Sequence, residues 1–106
     1  MQREPLPSRR NNETCAFSVG RISYTATVGY YSDGRVGEIF IDCAKSGTDA
    51  SVSARDAAIA ASMALQFGAT VHEIRSAFTR DATGAAEGPL GTLLDILADS
   101  DGLHLV

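Results

Sequence analysis

The sequence predicts an α+β domain: an antiparallel three-stranded β-meander followed by three helices packed on one face, in the order βββααα. Two observations carry the prediction. Apolar residues recur at every second position through residues 14–43, and at helical spacing between capping signals through residues 51–102. Strands and helices are therefore segregated along the chain, as in α+β sandwiches, rather than alternating as in βαβ units.

In "TCAFSV", Cys15, Phe17 and Val19 alternate with Thr14, Ala16 and Ser18. In "RISYTATVGYY", Ile22, Tyr24, Ala26, Val28 and Tyr30 take one face, and Ser23, Thr25 and Thr27 the other. A period of two marks a half-buried strand. Gly20-Arg21 between these runs suits a type II′ turn, whose first central residue needs a positive φ. Asp33-Gly34 in "YSDGRV" supplies the second turn. "GEIFIDC" then sets Ile39, Ile41 and Cys43 against Glu38, Phe40 and Asp42. In a meander Cys15 and Cys43 lie on the two outer strands, about 9–10 Å apart. A disulfide needs Cα atoms within about 7 Å. Two buried free thiols are expected; a redox pair would require another strand order.

The first helix is expected over about Val52 to Phe67, with Asp49, Ser51 and Ser53 as capping candidates. Ser53 and Asp56 have capping-box spacing, and Gly68 suits a left-handed stop. Its interior, "AAIAASMAL", is apolar on nearly every side, so the helix should be buried nearly all round. Thr70 and Glu73 form a capping box opening a second helix, whose stripe is Ile74, Ala77 and Phe78 and which fades near Arg80. "DATGAAEG" reads as a loop. Pro89 opens the third helix. Leu90, Leu93, Leu94 and Leu97 form its apolar stripe, with Asp95 and Asp99 facing away.

A chain of 106 residues suits one domain. Residues 13–102 form it; residues 1–12 are expected to be a flexible N-terminal tail, lying along the domain or a partner, and 103–106 a C-terminal tail. The net charge of −4 argues against a general nucleic-acid binder, which would show a basic stripe. No apolar run approaches the length of a membrane span, and "MQREPLPSRR" lacks the apolar core of a signal peptide. A cytoplasmic protein is expected. Cys15, Cys43, His72 and His104 show no zinc spacing. No metal or cofactor is expected.

The stretch with most chemical promise is "CAKSGTDAS". It is no P-loop: Ala44 precedes Lys45, and no glycine holds the required offset. Two readings remain open. Lys45, Ser46, Gly47, Thr48 and Ser51 can hold a phosphate at a helix N-terminus, assisted by Arg55, Arg9 or Arg10. Alternatively Gly47 permits a tight turn and Thr48, Asp49 or Ser51 caps the helix. Asp33-Gly34-Arg35 reads as a turn. Glu38, Asp42, Asp49 and Asp56 read as strand polarity, capping and helix charge. No spacing supports a triad of Ser46, His72 and Asp49, and no convergent acid, base or nucleophile stands out. Catalysis by this chain alone is not expected.

"LPSRRNNET" and the run from "YTATVGYYSDGRVGEIFIDCAKSG" to "ALQFGATVHEIRSAF" resemble the C-terminal accessory domain of adenosylcobalamin-dependent (class II) ribonucleotide reductases, the TSCPD family. The match covers roughly residues 6–80 and, more weakly, the last helix. "DGRVGEIFI" followed by "AKSG" and "ALQFG" carries it. Small free-standing members of the family are known, and this chain looks like one. In the reductases a separate barrel bears the radical cysteine, the redox cysteine pair and the cobalamin site. None of it is here, and the cysteine-containing signature is replaced by "DATGAAEGPLG". The resemblance therefore transfers no catalytic residue; Gly37–Phe40, Lys45 and Gly47 match the pattern in position only. It implies a non-catalytic accessory domain acting through protein contacts, with a ribonucleotide reductase or a second copy as partner. The alternative is a nucleotide- or phosphate-binding module at Lys45–Ser51.

Overall fold

A computed structural model describes residues 2–45 and 47–99. Three strands, β1 (Asn12–Val19), β2 (Ile22–Tyr30) and β3 (Val36–Cys43), precede three helices, α1 (Asp49–Gln66), α2 (Val71–Ser76) and α3 (Pro89–Asp99). The sheet is an antiparallel meander in the order β1-β2-β3. Gly20 turns the first hairpin at φ 60°, and no described non-glycine residue has a positive φ, which fits the type II′ turn. At the second hairpin Gly34 (φ 93°) donates its N–H to the Tyr31 carbonyl.

The alternation holds as predicted from Tyr24 onward, whereas Ile22, at the start of β2, is exposed. Tyr24, Ala26, Val28, Tyr30, Ile39 and Ile41 are buried on one face, against Ala54, Ala58, Ala61 and Leu65 of α1 and the leucines of α3. The other face carries Thr14, Thr25, Phe40 and Asp42 and stays open. Cys15 sits opposite Ala26 and Cys43 opposite Tyr24, so β2 separates the two thiols. Both are free, but half-buried rather than buried.

Helix α1 departs from expectation twice. It begins a turn earlier, with Thr48 as N-cap. Ser53 and Asp56 consequently lie inside the helix and form no capping box. It is also not buried all round. Its inner side is pressed to the sheet, while Val52, Ile59, Met63 and Phe67 stay exposed. The reason is geometric: α1 packs on β3 and touches α3 only lightly, so no described element covers its outer side. The predicted capping box of α2 is present, Thr70 and Glu73 each satisfying the other's backbone N–H. Helix α3 buries Leu90, Leu93, Leu94 and Leu97. Asp99 is exposed as expected, but Asp95 is not turned away. Its carboxylate accepts from Arg75 Nε at 2.6 Å and from both terminal nitrogens of Arg80 at 2.8 Å.

The outer edge of β3 is sealed by side chains of α1. Ser62 Oγ accepts the Ile39 N–H at 2.8 Å, and its own hydrogen lies within reach of the Ile39 and Ala58 carbonyls. Gln66 Nε2 donates to the Gly37 carbonyl at 2.9 Å. These bonds satisfy an edge that would otherwise invite a foreign strand. Residues 2–11 continue the seal. The Glu4 N–H donates to the Gln66 carbonyl, Tyr31 donates its hydroxyl to the Glu4 carbonyl, and Arg10 pairs with Glu38. Leu6 packs so tightly on Gly37 that an added Cβ there would lie 2.6 Å from its methyl carbon. The glycine of "GEIF" is thus demanded by close approach, at the β3 residue next to the pairing irregularity opposite Gly29 and Tyr30.

Candidate functional site

The β3–α1 junction gathers most of the residues singled out by the sequence. Gly47 has φ 82°, the left-handed conformation that closes the loop. The Thr48 hydroxyl donates to the Lys45 carbonyl at 2.9 Å and accepts the Ser51 N–H at 3.2 Å, so one side chain both folds the loop and caps the helix. Ser51 is buried beneath the cap. Arg55 stands 4.0 Å from Asp42, an exposed pair of little energetic weight. Lys45 and Arg21 form no hydrogen bond or ion pair among the described residues, and they flank a hollow of about 410 Å³ whose lining includes Ser23, Cys43 and Thr48. Ser46 lies outside the described residues.

The two N-terminal arginines do not join this group. Arg10 donates to the Glu38 carboxylate and to the Pro7 carbonyl, and the bond to Glu38 holds its guanidinium pKa above the ordinary value. Glu38 is five residues from Cys43 along β3, about 16 Å at strand rise. Arg9 is exposed and has no partner among the described residues. Of the two thiols, Cys15 has its pKa pushed up by burial and by the nearby Glu13, which disfavours a reactive thiolate. No three described histidine, cysteine or acidic residues gather as metal ligands would. No described helix is long and apolar enough to cross a membrane.

A second feature was missed by the sequence reading. Val52 (52% exposed), Ile59 (56%) and Met63 (44%) form a stripe on the outer side of α1. Arg55 leans towards Asp42 on the open face of the sheet, and Ile59 follows it one turn later on the same side. On the open face of the sheet, Phe40 is 52% exposed. The spacing 52, 59, 63 was visible in the sequence, but the surrounding alanines hid which side would be covered.

The TSCPD domain family matches residues 2–99 of the chain. Similar proteins include the vitamin B12-dependent ribonucleotide reductases of Agrobacterium fabrum and Bradyrhizobium diazoefficiens, each 41% identical over 78 residues, 74% of this chain. That of Rhodopirellula baltica is 36% identical over the same length. The chain spans only 6% of the first two relatives and 8% of the third. No solved structure shows a significant match. With nearly its whole length accounted for by one family, the chain belongs to the TSCPD domain family.

Proposed function

We propose that this chain is a non-catalytic accessory module that works by protein contact, with a vitamin B12-dependent ribonucleotide reductase as its partner and the cytoplasm as its place of action. The observation that carries this reading is the set of large apolar side chains left exposed, Val52, Ile59 and Met63 along α1 and Phe40 on β3. Isolated exposed hydrophobics are ordinary, but three large ones on one side of a helix mark an interaction surface. The relatives supply the partner class, because in them a similar segment is part of the reductase chain itself. The test is sedimentation of the purified domain alone and mixed with such a reductase. A complex that Ile59→Lys and Phe40→Ser abolish, while the domain stays folded, is the expected result. A domain that stays monomeric and binds no reductase would refute the reading.

A second reading is favoured by the unpaired Lys45 and Arg21 around the junction hollow: a nucleotide or phosphate held there. Asp49 in the first turn of α1 opposes it, since its carboxylate already answers the helix dipole. A thermal-shift titration with nucleoside di- and triphosphates decides the matter. A ligand at 100 times its Kd stabilises the folded state by about 2.7 kcal/mol, and Lys45→Ala should remove that shift. Absence of any shift at millimolar concentration would eliminate this reading.

A further inference from the structure

The chain has a second hollow, unrelated to the β3–α1 junction and independent of either reading above. It opens where the β2–β3 hairpin, the α1–α2 turn and the end of α3 meet, with a volume of about 430 Å³. Small-molecule pockets begin near 300 Å³. The floor is apolar, formed by Tyr30, Leu65 and Leu97 with Val36 and Val71 beside them. The polar wall contains Arg35, His72 and Arg75, and among the described residues no carboxylate lines the cleft, although the protein carries a net charge of −4.

The three basic side chains are not equivalent. Arg35 is spent: its Nε donates to Asp33 and its terminal nitrogens to the Glu4 carboxylate. Arg80, outside the cleft, is spent as well, since both of its terminal nitrogens are taken by Asp95. Arg75 gives only its Nε to the same carboxylate. One carboxylate thus faces two guanidinium groups, and the uncompensated positive charge belongs to the arginine that lines the cleft. Its two terminal nitrogens, and the imidazole of His72, have no protein partner among the described residues. Because Asp95 holds Arg75 at Nε, the remaining fork is pre-oriented rather than free to wander, which lowers the entropic cost of binding.

We propose that this cleft binds a phosphate monoester of a flat or apolar group, such as a nucleoside monophosphate. The Arg75 fork and His72 hold the phosphate, and the ring lies on Tyr30, Leu65 and Leu97. Guanidinium forks match phosphate oxygens two at a time, and the imidazole can meet the third. A phosphate alone would leave the apolar floor wet, so the organic part contributes to affinity.

The experiment is an amide-resolved NMR titration of the whole chain with adenosine monophosphate, phenyl phosphate and inorganic phosphate. Both esters should perturb the amides of residues 68–75, with a Kd below about 1 mM. Inorganic phosphate should bind at least about tenfold more weakly, a difference of roughly 1.4 kcal/mol. Arg75→Gln should weaken the esters about tenfold or more, and Arg75→Lys should restore little, because the fork is lost. His72→Ala, at an exposed position, keeps the test valid if the Arg75 variants fold poorly, and should weaken binding severalfold. Lys45→Ala should change nothing. The proposal fails if neither ester perturbs residues 68–75, if inorganic phosphate binds as tightly as the esters, or if the shifts map to residues 45–50 and vanish in Lys45→Ala. That last outcome would instead support the junction reading.

Discussion

Helices α1 and α3 use apolar residues in opposite ways. Helix α3 turns its large side chains inward: Leu93 and Leu94 are fully buried, and Asp95 and Asp99 lie outside the leucine stripe. Helix α1 turns mostly small ones inward, with Leu65 the one large apolar residue on its buried side. Ala54, Ala58 and Ala61 meet the sheet, while Val52, Ile59, Met63 and Phe67 point out. Alanines let the α1 backbone approach β3 closely enough for Ser62 and Gln66 to bond its edge directly. One helix is built to fill a core; the other seals a sheet edge and presents an apolar surface.

Substitutions can break this contrast in order of decreasing effect. Leu93→Ala should be the most damaging, at about 2–5 kcal/mol, because a leucine removed from a filled core leaves a cavity. Urea unfolding measures it, and a loss below about 1 kcal/mol would show that α3 is not the core helix. Ala58→Leu should cost about 1–3 kcal/mol by forcing α1 off the sheet. It should also speed amide exchange at Ile39, whose N–H depends on Ser62. Unchanged protection there would contradict the close-approach argument.

A smaller effect should appear only in acid. The guanidinium groups of Arg80 and Arg75 hold the Asp95 carboxyl well below the usual carboxylate range. The unfolded chain protonates this group near pH 4, whereas the folded chain keeps it charged. Its stabilisation is therefore complete above about pH 4 and fades as the pH falls through the depressed folded value. Thermal melts of Asp95→Asn should lose that part of the acid dependence, and an unaltered acid limb would deny the triad any role. Ile59→Ser should have the least effect on stability, within about 0.5 kcal/mol, while abolishing association. A large loss of stability would mean that the outer stripe of α1 belongs to the core after all.

Much of this fold was legible in the chain. Period-two alternation set the strand faces, Gly20 and Gly34 marked the hairpins, and the Thr70–Glu73 pair marked the start of α2. In each case the cause is local, lying in one residue's dihedral preference or in a bond between near neighbours. The leucine stripe of α3 was equally plain, because only one side of that helix is apolar. The junction loop was half legible. Thr48 was a capping candidate, but Ser53 and Asp56 competed on spacing alone, and the capping geometry that starts α1 at Asp49 is not written in spacing. The unpaired Arg21 beside Lys45 was not foreseen either, since the two meet only when β2 and β3 pair.

The sequence by itself determined the order of elements, the inward faces of the sheet and of α3, and the family. These follow from short-range patterns that leave few alternatives. Tertiary structure alone decided which side of α1 is bare, since a helix apolar all round carries no internal signal of its orientation. It also decided that residues 2–11 brace the β3 edge, and that Arg75, Arg80 and Asp95 share one charge cluster. Those contacts join residues distant in the chain or placed by a turn between helices. Their free energy exists only once hydrophobic burial has brought the segments together.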